Sequence, residues 1–223
     1  MSTSVLIIGA AKSGQVAASI LNEECRNTDI IFADDDESKW GTKICGHFVK
    51  PLTIEHALND ISSYDAAFVS VGLHKLMGFR ERMYARLKGR IPLLNIVHKT
   101  AFISESASIG EGNYIGAVSY IGPFAKIGNC NYLSSGSLVE HHTVVGDLNS
   151  WGPKCSTSGG CVIGDNVCFG TQIGMVYNIS VGSGCSVSSG VVLDKSIGNN
   201  KIVRFANSPG MRVSDDKRKA RQM

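Results

Sequence analysis

Residues 103–128 read ISESASIGEGNYIGAVSYIGPFAKIG. Apolar side chains recur in this stretch at every sixth position: Ile103, Ile109, Ile115, Ile121 and Ile127. The count extends back to Val97 and forward through Leu133, Val139, Val145, Trp151, Thr157, Ile163, Phe169, Met175, Val181, Val187 and Leu193, and Thr157 alone is polar. Glycine often follows the apolar residue, as at Gly110, Gly116, Gly122, Gly128, Gly146 and Gly152, which suggests a corner that needs unusual backbone angles. The fourth residue after it is small or moderate, from Ala107, Asn113 and Ser119 through Thr143 and Asn149 to Cys155 and Cys161. That position must be narrow.

An amphipathic helix repeats at about 3.6 residues and a half-buried strand at 2, so neither accounts for a period of six with glycine at a fixed phase. A flat-walled solenoid does, with one short strand per hexapeptide and three walls per coil. Stacking by coils gives one interior ladder of Val97, Ile115, Leu133, Trp151, Phe169 and Val187, and a second of Ile103, Ile121, Val139, Thr157, Met175 and Leu193. Cys155, Cys161 and Cys185 fall on the narrow inward position, where a thiol serves as core filler and not as a nucleophile.

Residues 4–94 are built differently. SVLIIGAAKSGQVAASILNEE (4–24) reads as a buried strand, a turn with Gly9 and Gly14, and a helix; DIIFADDDE (29–37) reads as a second strand ending in acids. A helical TIEHALNDI (53–61), the strand YDAAFVSVG (64–72), the helix FRERMYARLKG (79–89) and the strand IPLLNIV (91–97) follow. Strand alternating with helix predicts a small parallel α/β sheet. The strand-turn-helix offers backbone amides and a positive helix end to a phosphate, although GAAKSG departs from GxGxxG and a tight turn without ligand explains it too. Carboxylates at the end of the second strand, Asp34 and Asp35, can receive hydrogen bonds from a ribose, base or sugar.

A chain of 223 residues with 43% hydrophobic content can bury a sizeable core. No long apolar run or signal-peptide pattern is present, so the expected location is the cytoplasm. The formal charge is +3, and the dense basic run DDKRKARQM (215–223) reads as a solvated tail, so nucleic acid is not an expected partner. Seven cysteines without a CxxC pair point to neither a disulfide framework nor a structural zinc site.

Nearly the whole chain resembles the sialic-acid O-acetyltransferase/sugar O-acyltransferase family, which includes nucleotide-aminosugar N-acetyltransferases of the bacillosamine pathway, within the hexapeptide-repeat acyltransferases. The likeness runs from VLIIGAAKSGQVAA (5–18) through NIVHKTAFISESASIGEG (95–112) and LVEHHTVVGD (138–147) to NSPGMRV (207–213). It implies a Rossmann-like α/β domain over 1–94 that holds a nucleotide-linked amino sugar. It further implies a left-handed parallel β-helix over 95–213 that holds acetyl-CoA, a basic tail at 214–223, and a homotrimer with sites between subunits. By matching position, His141 is the expected general base, with Glu140 or Asp147 to orient it. His142, where many members carry Asp or Glu, is expected at an outward corner, where its loss costs only a few-fold. Lys12, Ser13 and Gly14 occupy the places of the family's glycine turn, Asp34 and Asp35 its sugar-nucleotide contacts, and Arg80 an arginine of the last helix. Ser150 stands where a relative uses a second histidine near the thioester, and Gly210 and Arg212 match a C-terminal segment near CoA.

The resemblance therefore implies transfer of acetyl to a sugar amine. A 4-amino sugar arrives largely as its ammonium ion and only the neutral amine attacks a thioester, so a base such as histidine is required. Backbone N–H groups of Gly159 or Gly160 are the expected donors to the developing oxyanion. No metal is expected. O-acetylation of sialic acid or another sugar hydroxyl would use the same base, and a non-catalytic trimeric sugar-nucleotide-binding protein is a third reading. A metalloenzyme on the same solenoid would need three converging histidines, and beyond His98 only His141 and His142 remain.

Overall fold

The six-residue clock becomes a ladder of two-residue strands. The computed structural model describes residues 3–24, 28–52, 61–70, 77–205 and 211–215. The chain forms two compact units, Met1–Lys99 with Glu111–Tyr114, and Thr100–Gly110 with Ile115–Met223.

In the first unit a sheet of five strands has the order β3-β4-β2-β1-β5, where β1 is Thr3–Ile8, β2 Thr28–Asp34, β3 Lys43–Ile44, β4 His47–Pro51 and β5 Ala66–Val69. Strands β1, β2, β4 and β5 run parallel, and β3 pairs antiparallel with β4. Helix α1 (Lys12–Glu24) follows β1, and α2 (Met77–Leu87) comes after β5. Val5 to Ile8 are all buried, as a continuous apolar strand in a parallel sheet requires. The expected helix at 53–61 lies outside the described residues except for its end at Ile61. The expected strand at 91–97 is reduced to a bridge between Ala67 and Leu93 and the pair Ile96–Val97. Pro92 brings no N–H to a ladder there, and only its carbonyl is used, by Ala67 N at 3.0 Å.

In the second unit, strands pair in parallel with the strand 18 residues on, as Tyr120 does with Leu138 and Val144 with Val162. Three sheets result. One carries Ile121, Val139, Thr157 and Met175 inward, another Ile127, Val145, Ile163 and Val181, and the third Ile115, Leu133, Trp151, Phe169 and Val187; all are buried. The third sheet ends in Lys201–Phe205 and Met211–Asp215, which pair antiparallel. The walls and their inward faces are those the sequence predicts.

Two features of the corners differ from expectation. The glycines that follow the apolar residues do not have left-handed backbone angles. They are small because the next coil is too close, and a Cβ at Gly116 would lie 2.5 Å from Ser135 N. The left-handed residue comes two places later. Positive φ recurs at every sixth position from Gly112 to Gly190, including Val118, Phe124, Cys130, His142, Leu148 and Asn178. Polar side chains seal the coils: Asn131 Oδ1 accepts from Asn149 N at 2.9 Å, and Asn149 Oδ1 accepts from Val167 N at 2.7 Å.

Candidate active site

Val139 ends its strand pointing inward, so the chain turns the corner at 140–142 before Thr143 re-enters the interior. His141 and His142 are both exposed there. The imidazole of His141 packs against Gly159, one coil on: a Cβ on Gly159 would stand 2.5 Å from His141 Nε2 and 3.0 Å from Nδ1. The backbones are tied as well, since Gly160 N donates to His141 O at 2.9 Å. On the far side the ring of Tyr177 is centred 6.3 Å from that of His141. Three successive coils thus build one column of His141, Gly159 and Tyr177.

The Gly160 N–H is consumed by His141 O, which removes it as an oxyanion donor. The Gly159 N–H makes no hydrogen bond among the described residues, and the Gly159 carbonyl accepts from Asn178 N at 3.1 Å. Of the two expected alternatives, Gly159 is the one whose N–H is left for an oxyanion.

The expected orienting carboxylates are engaged elsewhere. Asp147 Oδ1 accepts from Asn129 N at 2.7 Å and from Asn129 Nδ2 at 3.0 Å, in a ladder of polar side chains along another corner. Glu140 Oε2 accepts from the backbone N of His141 at 3.2 Å, so it holds the corner and not the ring. His142 lies at an outward corner as expected, with φ 58°, but its ring is not idle: His142 Nδ1 is 3.1 Å from His141 Nδ1.

Thr157 is a member of the site that sequence reasoning passed over. Its Oγ1 accepts from Glu140 N at 3.1 Å and lies 3.5 Å from Thr143 Oγ1, which donates to Ser158 O at 3.2 Å. The signal was present, because Thr157 is the single polar break in the apolar series.

Ser150 is buried, on a different wall from the corner that carries His141. Gly210 lies outside the described residues; Arg212 pairs with Arg204 in the terminal antiparallel ladder. Cys155 Sγ donates to Gly170 O at 2.9 Å and burial pushes its thiol up to about 11; burial also raises Cys161. A thiol so held is not a nucleophile. Among the described residues, no group of three His, Cys, Asp or Glu side chains could hold a metal ion.

In the first unit, Asp34 and Asp35 part company. Asp34 is only 5% exposed. Its carboxylate accepts from Ala10 N at 2.6 Å, Asp36 N at 3.0 Å and Lys39 Nζ at 2.9 Å, which ties the β1 turn to the end of β2. Burial works against the Lys39 ammonium, yet its bonds to Asp34 and Asp36 outweigh this and hold it above its ordinary range. Asp35 is exposed, as is Lys12 at the first turn of α1, and Ser13 is half-buried. Gly14 is required for packing, since a Cβ there would collide with the Gly9 carbonyl oxygen and meet Ser70 Oγ at 3.1 Å. Arg80, on α2, is 2% exposed and so belongs to the interior of this unit.

No family model matches the chain. Its solved structural neighbours include a mutant of perosamine N-acetyltransferase from Caulobacter crescentus in complex with CoA and GDP-perosamine. That likeness has 21% identity, covers 96% of this chain and 97% of that one, and has a TM-score of 0.82. The acetyltransferase domain of PglB from Neisseria gonorrhoeae in complex with acetyl coenzyme A has 24% identity over 91% of this chain and 96% of that one, with a TM-score of 0.79. WeeI from Acinetobacter baumannii has 18% identity over 96% and 100%, with a TM-score of 0.77. The chain has the fold of these proteins. At such identities the likeness fixes architecture over both units, and the chemistry must be argued from the side chains.

Proposed function

We propose that the protein is an acetyl-CoA-dependent acetyltransferase that acetylates the amino group of a nucleotide-linked amino sugar in bacterial surface-glycan biosynthesis, with His141 as general base. The observation that carries this is the His141 ring, exposed to an acceptor and laid against Gly159, whose N–H has no partner among the described residues. In one step the neutral amine attacks the thioester carbonyl, its proton passes to His141 Nε2, and the Gly159 N–H faces the developing oxyanion. Collapse breaks the C–S bond, and the CoA thiolate takes the proton from His141. The likeness to proteins crystallised with CoA, acetyl coenzyme A and GDP-perosamine supports the choice of co-substrate and of sugar nucleotide.

Residues 1–94 form the sugar-nucleotide domain on this reading, with a Rossmann-like arrangement and with Lys12, Ser13 and Asp35 as its accessible contacts. Residues 95–213 form a left-handed β-helix that takes acetyl-CoA, and 214–223 a basic tail. The protein works as a cytoplasmic homotrimer. Its exposed Val118, Phe102 and Phe124 support association, because that apolar surface would be covered by a neighbouring copy.

Incubation with acetyl-CoA and a panel of UDP-, dTDP- and GDP-linked 4-amino sugars, read by mass spectrometry, tests the reading. An N-acetylated sugar nucleotide is expected. An acetyl ester on a sugar hydroxyl would assign O-acetylation instead, and unchanged substrates throughout would refute acetyl transfer.

A further inference from the structure

We propose that His142 is the hydrogen-bond acceptor that sets the tautomer of His141, so that the two imidazoles act as one pair holding a single shared-edge proton. The inference rests on the acetyltransferase reading for what the proton does, and on geometry for the pair itself.

The two Nδ1 atoms are 3.1 Å apart, with the rings at 85° and their centroids at 5.3 Å. Two neutral imidazoles both protonated at Nε2 would set lone pair against lone pair at that distance. Two imidazolium ions would set N–H against N–H and charge against charge. The contact therefore requires one hydrogen between the two Nδ1 atoms. The His142 backbone is held and its ring has a neighbour. Its φ is 58°, its N–H donates to Pro123 O at 3.0 Å, and its ring lies against Phe124 with centroids 4.9 Å apart.

The direction of that hydrogen follows from function. Were His142 the donor, His141 would carry its own hydrogen on Nε2 and could not accept one from an amine. With His141 the donor, Nε2 is the open base, and the imidazolium formed there keeps its Nδ1–H on His142 Nδ1 throughout. The other titratable groups facing the pair are Glu140, whose carboxylate is turned to the His141 backbone N–H, and Tyr177. Among the described residues no carboxylate is bonded to either ring. His142 thus does with a neutral acceptor what a carboxylate does for other catalytic histidines.

The test uses the intact protein and nitrogen-15 NMR of its histidines, which needs no substrate. Around neutral pH, His141 is expected as the Nδ1–H tautomer and His142 as the Nε2–H tautomer, assigned from the signals lost in His142→Gly and His141→Asn. Glycine and aspartate both tolerate φ 58°, so His142→Gly and His142→Asp should fold. His142→Gly is expected to return His141 to a tautomer mixture and to lower kcat by about ten- to a hundredfold with KM little changed. His142→Asp is expected to restore the Nδ1–H form and most of kcat, with the acidic limb of the rate profile moved to higher pH, because a carboxylate favours the imidazolium. Both histidines in the Nε2–H form, or an unaltered His141 tautomer in His142→Gly, would overturn the pair. Correct tautomers in a protein that transfers no acetyl group would leave the pair standing and remove the reaction assigned to it.

Discussion

Thr157 Oγ1 accepts the backbone N–H of Glu140 at 3.1 Å. At equivalent corners the acceptor is a backbone carbonyl, as when Gly122 N donates to Val139 O and Ser158 N to Met175 O. The ladder is altered at this coil: Leu138 registers with Ser156, but Val139 does not register with Thr157. The hydroxyl hydrogens then run in order from Thr157 to Thr143 to Ser158 O. A side-chain acceptor has replaced a main-chain one at the entry to the histidine corner.

Removing that acceptor should misplace the corner. Thr157→Val, nearly isosteric, leaves the Glu140 N–H unpaired and is expected to cost about 1–3 kcal/mol of stability. It should also lower kcat more than it raises KM. Thr157→Ser keeps the acceptor and should retain most activity. Thermal unfolding and steady-state kinetics on the two variants check this.

Gly159 offers a cleaner perturbation. Its backbone is not left-handed, so alanine carries no conformational penalty there, but the new Cβ would stand 2.5 Å from His141 Nε2. The ring must move. Gly159→Ala is expected to lower kcat by at least about a hundredfold while circular dichroism and melting temperature stay close to wild type. Equal activity would mean that the ring does not work from this position.

Asp34 and Asp35 should separate stability from binding. Asp34→Ala strands Ala10 N and Asp36 N and leaves the Lys39 ammonium with Asp36 alone, and should cost about 3 kcal/mol. Asp35→Ala removes an exposed side chain and should leave the melting temperature alone while raising KM for the sugar nucleotide and not for acetyl-CoA.

Cys155 makes the fold sensitive to alkali. Its thiol is raised by burial from an ordinary 9.0 to about 11, so the unfolded chain ionises first. The stability tied to the neutral thiol is complete below pH 9 and is lost as pH rises towards about 11. Ser137, one coil earlier, shows that a hydroxyl fits this ladder, since it bonds Ser134 O at 2.5 Å. Cys155→Ser should therefore lose less stability than wild type between those pH values, by urea titration.

The walls of the solenoid were legible because burial imposes a period on the sequence directly: Ile115, Leu133 and Trp151 are apolar for the reason that they face inward. The corner was legible only in part. The phase placed His142 on the outside, and it is there, but no sequence pattern reports that its ring turns back 3.1 Å to His141. Glycine after each apolar residue suggested backbone angles, whereas Gly116 is small for the sake of the next coil and the positive φ falls on Val118. Asp34 and Asp35 are neighbours of the same type, and only the end of β2 decides that one is buried and the other free. Thr157 is readable as an exception in the apolar series, but nothing in the sequence reports that its hydroxyl accepts the Glu140 N–H.

The most direct test of the central claim compares wild type with His141→Asn in two measurements on the same preparations: thiol release from acetyl-CoA in the presence of a nucleotide-linked 4-amino sugar, and acetyl-CoA binding by calorimetry. The account predicts that wild type releases thiol stoichiometrically with N-acetylated sugar, and that His141→Asn loses about a hundredfold or more in kcat with its acetyl-CoA affinity unchanged. Undiminished turnover in His141→Asn would contradict it.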